Sequence, residues 1–162
     1  MNRHLVVRAA LPGDVAVLHA LLRRAFAEYT GKLDPPSGAN DETVDSIGRK
    51  LGEGGAFLCS SNENGAEVAV GCVLYAPKSD HLYAGRLSVP PEFRKRGIGD
   101  LLLARTETHA ATLGLPGVRL RVRLALETLR AYYAARGYTP IGLHNHPGYT
   151  VATFVEMEKR LR

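Results

Sequence analysis

Leu87-Ser88-Val89-Pro90-Pro91-Glu92-Phe93-Arg94-Lys95-Arg96-Gly97-Ile98-Gly99-Asp100 is the stretch on which the reading of this chain turns. Residues 82–89 have strand character, and the Pro90-Pro91 pair cannot continue a central ladder. Past the glycines, Ile98, Leu101, Leu102 and Arg105 keep helical spacing until Gly114-Leu115-Pro116 stops it. A strand thus runs through a glycine-rich turn into a helix. Glycines allow positive φ and let a ligand approach the backbone without a Cβ in the way. The unpaired N–H groups and the positive dipole end of a helix then converge on one point, suited to a phosphate or diphosphate. Arg94, Lys95 and Arg96 add cations there. Gly-x-Gly alone can equally be a tight turn, so the surrounding pattern must decide. The P-loop spacing is absent after Gly97, and Leu102 stands where a dinucleotide fingerprint needs its third glycine.

Upstream, Leu18, Leu21, Leu22, Ala25, Phe26 and Tyr29 recur at three- and four-residue steps and predict an amphipathic helix. Residues 31–40 read as a loop, after which Asn40 or Asp41 caps a helix that turns Val44, Ile47 and Leu51 inward. Residues 56–59 and 67–75 are strands joined by the hairpin-like Asn62-Glu63-Asn64-Gly65. Downstream, residues 118–124 alternate with period two, residues 126–136 are helical up to Gly137, and residues 138–143 and 151–157 form two short strands. A short apolar alternation near residues 5–8 precedes all of these. The order ααβββαβαββ implies an α/β fold with one mixed, mostly antiparallel sheet flanked by helices.

The 162 residues suit one domain spanning 1–162. With 45% hydrophobic and 23% charged residues the composition is globular. No apolar run approaches the roughly 18 residues of a membrane span, and Arg3 and Arg8 interrupt any secretory h-region, so a cytoplasmic location is expected. Cys59 and Cys72 form no CxxC pair, and with His144 and His146 make a poor zinc set, so no metal is expected. Both cysteines read as small buried apolar side chains. The net charge of +5 favours an anionic ligand. Nucleic acid is not expected, because the basic cluster lacks interleaved aromatics that could stack on bases.

Arg94, Gly97 and Gly99 satisfy Arg/Gln-x-x-Gly-x-Gly/Ala, and Tyr133, Gly137 and Tyr138 satisfy Tyr-x-x-x-Gly-Phe/Tyr at a helix end. In these motifs and in its element order the chain resembles the GNAT superfamily of acyl-CoA-dependent N-acetyltransferases. The resemblance implies transfer of acetyl from acetyl-CoA, the co-substrate, to a primary amine of a small molecule or peptide, by direct attack in a ternary complex. It also implies that Arg94, Lys95, Arg96, Gly97, Ile98, Gly99 and Asp100 hold the diphosphate of coenzyme A. The backbone of Leu87, Ser88 and Val89 would pair with the pantetheine arm, and Tyr133 would be the acid that protonates the leaving thiolate. The adjacent Tyr132 is expected in the core. A homodimer is compatible with the resemblance.

Two departures stand out. Leu126 to Leu129 offer no Asn at the start of the Tyr-bearing helix, and residues 82–89 hold no carboxylate to activate the amine. A non-catalytic acyl-CoA-binding module is therefore the rival reading. An amine of pKa near 10.4 is only about 0.04% neutral at pH 7, so its proton must be removed. Glu28, Asp34, Asp41, His81, His144 and His146 are the polar candidates, beside a water chain. The acceptor pocket is expected between the 31–40 and 144–148 loops. Arg119, Arg121 and Arg123 read as a solvated strand face, with a basic wall for an anionic acceptor as the functional alternative.

Overall fold

A computed structural model describes residues 4–162; Met1, Asn2 and Arg3, including one of the charges behind the expected location, lie outside them. The chain runs β1 (His4–Ala9), α1 (Val15–Phe26), α2 (Val44–Glu53), β2 (Gly55–Glu63), β3 (Ala66–Pro77), β4 (Leu82–Ser88), α3 (Ile98–Thr112), β5 (Gly117–Arg123), α4 (Glu127–Ala134), β6 (Thr139–His144) and β7 (Phe154–Arg160). The strands form one seven-stranded sheet in the order β1-β2-β3-β4-β5-β7-β6. Every pairing is antiparallel except β4 with β5, which needs α3 as its crossover.

The sheet is covered on both sides. Ile98, Leu102, Leu103 and Ala110 of α3 pack with Phe57, Val70, Val73, Leu82, Val118, Leu120 and Val122. Leu18, Leu21 and Leu22 of α1 join Ile47 of α2 over Leu58, Cys72 and Leu74 on the other face. Ile47 is fully buried, and withdrawing such a side chain from water stabilises by about 1.5–3 kcal/mol. Both cysteines are buried, which pushes their thiols up, Cys59 to about 11 and Cys72 to about 12.

Several boundaries differ from expectation for local reasons. β1 is a full edge strand in register with β2, His4 opposite Asn62 and Ala9 opposite Phe57. α1 ends at Phe26, and Tyr29 falls in a 3-10 turn (Ala27–Tyr29) closed by Gly31 at φ +75. The cap of α2 is Thr43, not Asn40 or Asp41, which sit in a 3-10 turn (Gly38–Asp41). Thr43 Oγ1 accepts from Ser46 N at 3.0 Å while Ser46 Oγ accepts from Thr43 N at 2.8 Å, so two end donors are satisfied reciprocally. β7 starts at Phe154, three residues later than the apolar pattern implied.

Candidate active site

The site is made by a slip in β4. Leu74 of β3 faces Gly85, but Cys72 faces Ser88, so β4 carries one residue more than its partner across this step. Arg86 absorbs the bulge at φ +54, a left-handed conformation unusual for a side chain of its size. The β4–β5 ladder has just two registered pairs, Leu82 with Val118 and Tyr83 with Arg119. Beyond them the strands part.

At the mouth of this splay, Gly97 takes φ +79 and opens α3 with no side-chain cap. A Cβ on Gly97 would meet nothing within 4 Å, so its positive φ rather than packing demands glycine. The first-turn N–H groups of a 15-residue helix are thereby left for an external acceptor. A cleft of about 1050 Å³ extends from this turn along the splay. Leu87, Val89, Arg94, Lys95, Gly97, Ile98, Gly99, Asp100 and Tyr133, all singled out in the sequence, line it.

Two nominated side chains do not. Ser88 is fully buried and its hydroxyl donates to Arg86 O at 2.7 Å, while Arg96 lies over the Phe93 ring at 5.6 Å. Arg94 lines the cleft but its guanidinium is already engaged. It pairs with Glu28 at 2.7 Å and donates to Val89 O at 2.9 Å and Ala25 O at 3.3 Å, binding the turn to the end of α1.

The two adjacent tyrosines differ in their surroundings. Tyr133 is buried in the core cluster, yet its side chain reaches the cleft, and its hydroxyl has no hydrogen-bond partner among the described residues. Burial, then the neighbouring Tyr132, Tyr29 and Tyr83, raises its pKa far above that of an ordinary tyrosine. Tyr132 is half-buried and packs against the core cluster as expected, but its hydroxyl donates to Asp100 at 2.7 Å. Arg136 lies over the Tyr132 ring at 3.5 Å and donates to the same Asp100 oxygen at 2.5 Å. Arg136 first and Tyr132 second hold the Asp100 carboxyl below the usual carboxylate range.

Sequence reasoning missed Tyr29, Tyr132 and Arg136 as lining residues, whereas Lys32 and Leu33 belong to the 31–40 loop expected to border the acceptor. The four-residue step from Tyr132 to Arg136 was the available signal that these two share a helix face. Of the six candidate bases, Glu28 alone lines the cleft. His81 pairs with Asp80, His144 stacks on Phe154, His146 contacts Thr153, and Asp34 accepts from the Tyr149 hydroxyl.

A mixed sheet splayed at its parallel pair, with an uncapped glycine-opened helix at the mouth of the splay, defines an α/β fold with a cleft that accepts an anion. Residues 17–138 match the Acetyltransferase (GNAT) family, and the chain belongs to it. Over 83 residues it is 32% identical to the Probable N-acetyltransferase 14 of Xenopus tropicalis, a match spanning 50% of this chain and 40% of that relative's length. The ribosomal-protein-S18-alanine N-acetyltransferase of Escherichia coli superposes with a TM-score of 0.75 at 16% identity, over 97% of this chain and 94% of the other. The PaiA N-acetyltransferase of Thermoplasma acidophilum, in complex with coenzyme A, gives 0.75 at 16% identity over 98% and 99%. At such identities the likeness is one of fold.

Proposed function

We propose that the protein transfers the acetyl group of acetyl-CoA to a primary amine by direct attack in a ternary complex. The observation that carries this reading is the coincidence, in one cleft, of an uncapped helix start, a strand edge released by the splay, and a buried tyrosine hydroxyl without a protein partner. The coenzyme A complex of the PaiA relative supports the choice of cofactor.

The N–H groups of Ile98, Gly99 and Asp100 receive the diphosphate, and Lys95 supplies a cation from the exposed turn. Asp100, an acid beside that site, is kept from repelling the anion by Arg136. The backbone of Leu87 to Val89 pairs with the pantetheine arm as an added strand would. Arg94 acts less as a phosphate ligand than as the tie that sets the end of α1 against the cofactor turn.

The amine nitrogen attacks the thioester carbon, the new C–N bond forms and the C–S bond breaks. Tyr133 gives its proton to the departing sulfur. The proton lost by the amine leaves through water, the carboxylate of Glu28 being occupied by Arg94.

The test is acetyl-CoA turnover against a panel of primary amines, read as thiol release and as the acetylated product by mass spectrometry. Saturable turnover with acetylated amine is expected. Coenzyme A binding with no amine acetylated would instead support the acyl-CoA-binding module, and no binding at all would sink both.

A further inference from the structure

The mechanism above gives no task to a group of guanidinium charges on the face of the sheet beneath α1 and α2. The β4 bulge sends Arg86 to this face, where its guanidinium lies against Gly38, 3.0 Å from where a Cβ would stand. Across the splay, at the end of β5, Arg123 reaches the same loop and donates to Pro35 O at 2.5 Å and Pro36 O at 3.1 Å. The two arginines are close enough for mutual repulsion. They flank the opening between the strands.

Their countercharges are incomplete. Arg86 Nε reaches Glu42 Oε2 at 3.3 Å, but Lys50 holds that same oxygen at 2.5 Å, and Ser46 Oγ donates to the other at 2.9 Å. Arg123 makes no ion pair with any described residue; Asp34, the acid nearest in effect, accepts from Tyr149. Arg121, on the same face, has Glu156 at 3.5 Å and lies over the rings of Tyr83 and Phe154. His146 feels Arg123 as a like charge. Burial comes first and Arg86 adds to it in lowering the pKa of Arg123. A half-buried guanidinium bonded only to carbonyls is an arrangement that an oxyanion completes, because its planar fork matches carboxylate and phosphate oxygens. Arg86 directly precedes Leu87, which lines the cleft, and the loop that both arginines touch carries Lys32 and Leu33, which line it as well, so the pair adjoins the cleft.

We infer that the acceptor amine carries an anionic group, a carboxylate or a phosphate, which docks between Arg86 and Arg123 while the amine reaches the thioester. The inference rests on the transferase reading and names the substrate class of that same site. It also gives the strained Arg86 a use, since left-handed conformations in large side chains gather where function over-determines them.

The test compares kcat/KM for free amino acids and aminoalkyl phosphates with that for matched amino-acid amides and alkylamines. Coenzyme A affinity is measured by calorimetry in parallel. The wild-type protein should prefer the anionic amines, the two anionic arms telling carboxylate from phosphate. Arg123→Gln and Arg86→Gln should each lower the anionic-to-neutral ratio by at least about 30-fold. Arg123→Lys, which keeps charge and a donor for the loop carbonyls, should restore most of it. The inference is overturned if neutral amines are used as well as anionic ones, if both Gln variants keep the ratio, or if coenzyme A binds and no anionic amine is acetylated. Loss of coenzyme A binding in the wild type would instead overturn the transferase reading beneath it.

Discussion

Tyr132 and Tyr133 are adjacent in the chain but about 100° apart around α4, and that rotation separates their tasks. Tyr133 turns into the core and lines the cleft from there; Tyr132 turns to Asp100 at 2.7 Å. Removing the hydroxyl in Tyr133→Phe should lower the single-turnover rate about 10²-fold, the usual scale for acid catalysis, and leave coenzyme A affinity nearly intact. Because burial raises the Tyr133 pKa, the hydroxyl stays protonated past the ordinary value near 10. The wild-type rate should therefore show no falling limb below about pH 10. A full-rate Tyr133→Phe protein would mean that the thiolate leaves unaided. Tyr132→Phe should act on binding instead. Freed of one partner, Asp100 lies beside the diphosphate site less well compensated, and the KM for acetyl-CoA should rise with little change in kcat.

The turn into α3 and the bulge of β4 are the elements that make the cleft, and two glycines, one in the turn and one on β3 beneath α3, are needed for different reasons. A Cβ on Gly99 would stand 2.6 Å from the Tyr132 hydroxyl oxygen, so Gly99→Ala should break the bond to Asp100 and weaken coenzyme A binding, with about 1 kcal/mol lost in stability. Gly71 of β3 lies beneath α3, where a Cβ would come within 2.7 Å of Ile98 Cγ2 and 3.2 Å of Ser88 O. Gly71→Ala should cost about 1–3 kcal/mol by overpacking, read as a lowered midpoint in denaturant with unchanged slope. A stable Gly71→Ala protein with normal affinity would show that α3 can shift without disturbing the turn. The turn, α3 and the central strands were legible because glycines and apolar periodicity are local signals. The bulge was not: residues 82–89 read as an unbroken strand, and the slip exists only relative to β3. β1 was undervalued because a half-exposed edge strand shows little alternation beyond its few inward residues. The engagement of Arg94 by Glu28 was invisible as well, since it joins groups 66 positions apart whose types alone suggest separate roles.

At the scale of the whole molecule, the two loops expected to border the acceptor meet each other. The Tyr149 hydroxyl donates to Asp34, and Arg123 ties the carbonyls of Pro35 and Pro36 to the end of β5. Within the second loop, Asn145 Nδ2 donates to Tyr149 O at 2.5 Å and Tyr149 N donates to His146 O at 3.1 Å, so Tyr149 is held from both directions. Loops joined in this way open together rather than one at a time, because releasing either strips bonds from the other. An amine seated between them in the presence of coenzyme A should therefore slow amide hydrogen exchange in residues 30–41 and 145–153 by a common factor. An amine that is not a substrate should leave both unchanged. Tyr149→Phe removes the link to Asp34 without touching the core, so it should speed exchange in both segments of the unliganded protein and give each its own response to the amine. Exchange that slowed in one segment alone in the wild-type protein would place the acceptor against that loop only. Exchange indifferent to every productive amine would move the pocket elsewhere.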